Sequence, residues 1–239
     1  MAWKKFQAFF FMGKVHKELM QFDQEVLREY SALIGCDEVG RGPIAGPVVG
    51  CAVKIEKAHQ ALLSSLSELK VTDSKKITEK KRKLILKNLG IDNSSIQLGI
   101  AQRIEYLGNE FSFCIFEHTH HEIDQINILQ ASLSAMKHAS QALMQDNAKV
   151  LIDGNKVFEG SGVVEAVIKG DAKVLAIGLA SIIAKNFRDE KMKQLDKQYP
   201  GYNLAKHAGY PTKEHKDAVK RLGPSAIHRK SFKGVKEYC

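Results

Sequence analysis

The chain has 239 residues, 44% hydrophobic and 26% charged, with 36 Lys+Arg against 27 Asp+Glu and a net charge of +9. This near-average composition excludes disordered, collagen-like and low-complexity architectures, and the length accommodates one large domain with a sizeable core. No apolar run reaches the roughly 18 residues that a bilayer span needs, so no membrane partner is expected. Cys36, Cys51, Cys114 and Cys239 are widely spaced without a C-x-x-C pair, which argues against a zinc ribbon or disulfide scaffold and for a reducing cytoplasm. Lys4-Lys5 followed by Phe9-Phe10-Phe11-Met12 resembles a signal peptide only faintly, because the apolar stretch is short, contains Gln7 and lacks a small-residue cleavage site.

In chain order, Val15, Leu19, Phe22, Val26 and Leu27 recur at helical spacing and predict an amphipathic helix over 14–30. Strands are expected over 32–38 and 47–55, joined by a breaker-rich loop from Gly40 to Pro47. A basic helix follows from Ser74 to Leu89, then a half-buried strand over 95–103 in which Ile96, Leu98 and Ile100 alternate with polar neighbours. A helix over 127–144 turns Ile128, Leu129, Leu133, Met136 and Leu143 inward. Strands over 149–153 and 163–168 precede a long helix over 176–195, apolar at first and charged later. Tyr199-Pro200-Gly201 breaks it, and a short helix runs from Lys213 to Leu222. Strands followed by mixed strands and helices predict a layered α/β or α+β domain with a helical tail.

Charge is uneven along this plan. Residues 185–239 hold 14 Lys+Arg and 6 Asp+Glu, whereas residues 1–184 hold 22 and 21. A basic segment on a near-neutral body points to a polyanion, since neutralised phosphates release counterions; a solvated basic surface reads equally well from charge alone.

Four acids stand where apolar strands run into loops: Asp37-Glu38, Asp153 before the turn Gly154-Asn155, and Asp171 after Lys169-Gly170. Taken singly, Asp153 or Asp171 is also an ordinary turn former or helix cap. Brought together, each pair would cost about 1–4 kcal/mol at about 4 Å, so a cluster needs a cation or a shared proton. Carboxylate oxygens favour Mg2+ or Mn2+. Gly40-x-Gly42-x-x-x-Gly46 misses the dinucleotide fingerprint by one residue and is followed by prolines, and Arg41-Gly42 stands where a P-loop needs Lys-Ser/Thr. What remains is a loop whose glycines admit close backbone approach, or a simple tight connection. Arg41 is available for phosphate. Asp73-Ser74-Lys75-Lys76 forms a phosphate cradle or an ordinary helix cap. His118, His120 and His121 lack zinc-site spacing and read as surface or core histidines. Tyr210 among Lys206, His207 and Lys213 offers a stacking face, or a core aromatic.

Together these segments resemble the ribonuclease HII family. The resemblance lies in Ile34-Gly-Cys-Asp-Glu-Val-Gly-Arg-Gly-Pro-Ile-Ala-Gly-Pro-Val-Val49, Asp73-Ser-Lys-Lys76, Ile123-Asp-Gln-Ile-Asn-Ile-Leu-Gln130 and Leu151-Ile-Asp-Gly-Asn155. It continues in order through Lys169-Gly-Asp171, Ala180-Ser-Ile-Ile-Ala-Lys185, His207-Ala-Gly-Tyr-Pro-Thr212 and His228-Arg-Lys-Ser-Phe232. It spans about 18–233 and leaves residues 1–17 outside. It implies the ribonuclease H fold, an α/β architecture with a mixed five-stranded sheet flanked by helices and a C-terminal helical extension. The layout becomes an N-terminal extension and helix over 1–30, a ribonuclease H-like core over 31–198 and a basic helical segment over 199–239.

The resemblance further implies an endonuclease that cuts RNA in RNA–DNA hybrids and incises duplex DNA at single ribonucleotides, leaving 5′-phosphate and 3′-hydroxyl ends. By motif, Asp37, Glu38, Asp153 and Asp171 take the catalytic and metal-binding roles with Mn2+ or Mg2+. Gly40, Arg41 and Gly42 take the place of the loop that senses the 2′-hydroxyl, and Tyr210 that of the tyrosine packed at the RNA–DNA junction. Ser74, Lys75, Lys76, Lys173, Lys185 and Arg188 are expected as further nucleic-acid contacts. The sister ribonuclease HIII family differs in the glycine loop and carries a longer N-terminal domain, so HII is favoured. Ala208 stands where a Lys is common, and no sliding-clamp-binding sequence follows Phe232. A monomer suffices. A non-catalytic nucleic-acid-binding module fits the four acids poorly, and a hydrolase of small phosphoesters fits the basic tail poorly.

Overall fold

A computed structural model describes residues 20–71, 77–160 and 162–239. Strand β1 (Ala32–Val39) is buried along its first six residues. It has a neighbour on each side, antiparallel β2 (Val48–Glu56) and parallel β5 (Ala148–Asp153). A strand covered on both faces reads as a continuous apolar run, which is why Ala-Leu-Ile-Gly-Cys and Val-Leu-Ile are legible without alternation. β6 (Val163–Val167) continues the sheet in parallel beyond β5. On the other side β4 (Asn109–His118) and β3 (Gln102–Tyr106) continue it antiparallel beyond β2, giving the order β3-β4-β2-β1-β5-β6.

The sheet therefore has six strands, not five. The unforeseen one is β4, which places Phe111, Phe113 and Ile115 in the core. The strand expected over 95–103 is displaced: Leu98 makes one isolated bridge to Ile115, and Leu98 and Ile100 lie exposed. The pairing begins at Gln102, where Leu107 and Gly108, both at positive φ, close a two-residue hairpin. Local alternation at 96–100 satisfies the strand pattern, but the hairpin register decides which segment pairs.

Two helices clamp the sheet. α6 (Leu175–Gln198) crosses one face so closely that a Cβ on Gly35 would stand 2.4 Å from the Ile177 amide nitrogen. On the other face α5 (Ile128–Gln141), which follows the short α4 (His120–Ile126), approaches Gly50, where a Cβ would stand 2.6 Å from the Ala135 carbonyl carbon. Any side chain at either glycine would lift a helix off the sheet. The apolar first half of α6 is buried between the sheet and α2 (Leu62–Glu68) with α3 (Glu79–Asn88), beside Leu62, Leu66, Ile85 and Leu86. Each such side chain contributes about 1.5–3 kcal/mol by leaving water. The basic helix starts at Glu79, with the Thr78 hydroxyl accepting from the Lys81 amide, rather than at Ser74; Asp73 to Lys76 lie outside the described residues. Helix α1 (20–29) carries the buried Asp23, whose carboxylate accepts from the Leu175 and Ala176 amides and so caps α6. Residues 14–19 of the expected first helix lie outside the described residues.

The C-terminal segment is folded, not a solvated arm. α7 (Leu204–His207) and α8 (Lys213–Leu222) bury Leu204, Val219, Ile227 and Val235 against Met192 and against Ile44-Ala45 of the loop after β1. No helix among the described residues is long and apolar enough to cross a membrane.

Candidate active site

β1 and β5 run in parallel with Cys36 opposite Ile152, so Asp37 and Asp153 leave the sheet side by side at the same end. Asp171 arrives from a 3-10 turn over Gly170–Ala172. The Gly170 amide donates to Asp153 Oδ1 at 2.7 Å, and a Cβ on Gly170 would stand 3.4 Å from that oxygen. This contact ties the turn bearing Asp171 to the end of β5. Asp37 is 6% exposed. Its carboxylate accepts from the Glu38 amide at 2.7 Å and from the Ser181 hydroxyl on α6. Burial first, then the charge of Glu38 and also that of Asp153, push the Asp37 carboxyl well above the usual carboxylate range; the two hydrogen bonds oppose the shift only in part.

Such a carboxyl calls for a proton or a cation. Among the described residues no three His, Cys, Asp or Glu side chains stand grouped so as to hold a metal ion. The donor chemistry at this edge is nonetheless that of a hard divalent cation: carboxylate oxygens, one of them buried and repelled by two neighbours.

The loop after β1 lies beside this edge. Gly40 has φ +100°, and a Cβ there would stand 2.4 Å from Arg188 Nε. Only glycine fits both the conformation and the space. Arg41 is half exposed, its Nη1 only loosely placed 3.4 Å from Glu38 Oε1. The Tyr210 ring lies against Gly42, where a Cβ would meet Cε1 at 3.3 Å. Tyr210 is 39% exposed, so one side of the ring packs and another faces solvent.

The structure distributes the remaining expected contacts unevenly. Lys173 is exposed just after the turn that carries Asp171. Lys185 lies on α6 with its Nζ 2.6 Å from Asp189. Ser74, Lys75 and Lys76 fall outside the described residues. Arg188 is not a surface contact: it is fully buried, and its guanidinium donates to the carbonyls of Pro47, Ala45 and Ala208. The basic helical stretch that suggested a phosphate contact turns this arginine under the loop, where carbonyls rather than water satisfy it. Two residues that carried no assigned role now have one in the geometry. Ser181 holds Asp37, and Arg229 is buried beside Arg188. Both sit in the motifs quoted above, the only sequence signal that could have flagged them.

A mixed sheet in this order, flanked by helices and with Asp37 and Asp153 at the ends of two parallel central strands, has the architecture of the ribonuclease H-like fold. The family model for ribonuclease HII matches residues 34–235. The chain is 42% identical over 220 residues to ribonuclease HII of Aliivibrio fischeri (strain MJ11), covering 92% of this chain and 94% of that one. It is 39% identical over 203 residues to that of Francisella tularensis subsp. tularensis (strain WY96-3418), covering 85% and 96%. Among solved structures, ribonuclease H2 from Pyrococcus horikoshii OT3 superposes with a TM-score of 0.63 at 23% identity, covering 87% and 96%. Bst-RNase HIII in complex with Mn2+ superposes with a TM-score of 0.58 at 16% identity, covering 89% and 71%. The chain belongs to the ribonuclease HII family. It is a metal-dependent endoribonuclease that hydrolyses RNA in RNA–DNA hybrids.

Proposed function

We propose that the enzyme also incises duplex DNA on the 5′ side of a single embedded ribonucleotide. Asp37, Glu38, Asp153 and Asp171 would hold two divalent cations, Mg2+ or Mn2+, and the products would carry 5′-phosphate and 3′-hydroxyl ends. When bound, such a pair activates water and stabilises the leaving 3′-oxygen of an in-line displacement. The chain's own residues do the rest. Ser181 and the Glu38 amide orient Asp37, and the Gly170 amide orients Asp153. Gly40, Arg41 and Gly42 present backbone to the ribose edge, where a 2′-hydroxyl is both donor and acceptor. Tyr210 stacks against the following deoxynucleotide, where a second 2′-hydroxyl would intrude. Lys173 and Lys185 lie along the backbone path, and a single copy of the chain suffices.

The observation that carries this reading is the packing of Tyr210 on Gly42, four residues after Glu38. It sets a stacking face on the loop that follows Asp37-Glu38, which supports their use on one substrate. The test is a labelled duplex with one ribonucleotide, incubated with Mg2+, with Mn2+ and with EDTA. A single cut 5′ to the ribonucleotide with either ion, and none with EDTA or on all-DNA duplex, is expected. Digestion of a long hybrid with the single-ribonucleotide duplex left intact would make this a hybrid-only ribonuclease.

A further inference from the structure

Beneath the Gly40–Pro47 loop lie two buried guanidiniums, Arg188 from α6 and Arg229 from the C-terminal segment. Arg229 donates from Nη2 to the Gly40 carbonyl at 2.7 Å, from Nη1 to Arg41 at 3.1 Å and Pro43 at 2.8 Å, and from Nε to Gly46 at 3.0 Å. Arg188 donates from Nε to Pro47 at 2.9 Å and from Nη2 to Ala45 at 3.2 Å. The Arg229 amide takes the carbonyl of Ile44. Thus the carbonyls of residues 40, 41, 43, 44, 45, 46 and 47 are all directed to these two arginines.

Peptide planarity then fixes where the loop amides point. In a trans peptide the carbonyl of one residue and the amide of the next point in opposite directions, and no peptide among the described residues is cis. With the Gly40 and Arg41 carbonyls turned inward to Arg229, the amides of Arg41 and Gly42 turn away from it. The Ile44 and Gly46 amides are taken by Gly209 and Ile227. Among the described residues, no acceptor meets the amide of Arg41 or of Gly42.

The guanidiniums also bring positive charge beneath the loop, with Asp189 and Glu117 acting on Arg188 and Asp124 on Arg229 through space. Among the described residues neither guanidinium pairs with a carboxylate; Asp189, on the same helix, is occupied by Lys185 and Arg82. Burial lowers Arg229 to about 9, with the Arg188 charge adding to the shift, and burial lowers Arg188 to about 10. Both remain cations at neutral pH.

We propose that Arg188 and Arg229 are positioning residues for substrate discrimination. They hold the loop carbonyls inward, fix the Arg41 and Gly42 amides outward as adjacent donors for a ribonucleotide, and place positive charge behind them for its phosphate. This rests on the single-ribonucleotide reading above.

The test compares Arg229→Lys and Arg188→Lys with the wild type, on a duplex holding one ribonucleotide and on a long RNA–DNA hybrid. Lysine keeps the charge but is a point donor and cannot fork among several carbonyls. The ratio of kcat/KM between the single-ribonucleotide duplex and the hybrid should fall tenfold or more. A loss of equal size on both substrates, or none, overturns the proposal. Should a variant fail to fold by circular dichroism, amide exchange in the otherwise native Asp153→Asn protein decides. The Arg41 and Gly42 amides should be protected by the single-ribonucleotide duplex and not by the all-DNA duplex, and equal protection by both overturns the proposal. A wild type that cuts the hybrid yet spares the single ribonucleotide fails the earlier reading instead, and this inference falls with it.

Discussion

The edge formed by Asp37, Asp153 and Asp171 and the loop from Gly40 to Pro47 are adjacent in the chain and opposite in design. At the edge, the Asp37 and Asp153 carboxylates are held by backbone amides and a hydroxyl, and burial with neighbouring acids pushes the Asp37 carboxyl up. At the loop, guanidiniums are held by backbone carbonyls rather than by direct contact with carboxylates. Burying charged groups is costly, and Asp37 and the two arginines bear that cost close together. The substrate must answer both regions. A phosphodiester with its divalent cations complements both sides at once, the cations meeting the acids and the phosphate meeting the arginine-backed loop.

Breaking the acidic half should have the largest effect. Asp153→Asn keeps the side-chain oxygen that accepts from the Gly170 amide and removes only the charge. Hybrid cleavage should drop by about 100- to 1000-fold, the loss of a few kcal/mol of transition-state stabilisation, with a melting temperature near that of the wild type. Steady-state kinetics beside a thermal melt checks both.

Breaking the loop half should act on one substrate more than the other. Tyr210→Ala removes a stacking face worth about 1–3 kcal/mol, so incision at a single ribonucleotide should fall about tenfold or more and hybrid cleavage less. Gly42→Ala sharpens the same point, since its Cβ would meet the Tyr210 ring at 3.3 Å and displace it by tenths of an ångström. The same substrate preference should appear at smaller size, read from paired rate measurements.

The basic tail is a weaker lever than its composition implies. Of its cations, Arg188 and Arg229 are buried, and Lys185, Lys191, Lys193 and Lys206 are paired with Asp189, Glu117, Glu79 and Glu214. Deleting 206–239 would remove Arg229 and the core around Val219 and Val235, so a single exposed charge is the cleaner probe. Lys213→Ala, three residues from Tyr210, should lower the slope of log K against log salt by about 0.9, the value of one phosphate contact on B-form duplex.

The smallest effect is expected far from both regions, at Asp23. Burial raises this carboxyl from 3.8 to about 7. The folded state therefore binds more protons than the unfolded chain between these values, so the contribution is full below 3.8 and is lost as pH rises to about 7. Asp23→Asn should flatten that slope, its melting temperature gaining a few degrees on the wild type between pH 4 and 8, measured by thermal denaturation across that range.

The same contrast explains what could be read in advance. β1 and β5 are apolar runs that stop at carboxylates, so the acids and their strand-end positions are visible in the chain itself. β4 is not, because its pairing depends on a hairpin at Leu107-Gly108 whose register no local alternation reveals. Arg188 and Arg229 are hidden for a different reason. Arginine is rarely buried, and all their partner carbonyls but that of Ala208 lie between about 140 and 190 positions away, so only the assembled loop shows why they are inside.

Cation binding at the carboxylate edge can be measured directly. Titrating Mn2+ into wild type and Asp153→Asn, with free ion followed by electron paramagnetic resonance, measures this without catalysis. Wild type should bind Mn2+ saturably, with competition by Mg2+, and Asp153→Asn should bind at least tenfold more weakly while remaining folded. Equal binding by the two proteins would contradict the assignment of this edge as the metal centre.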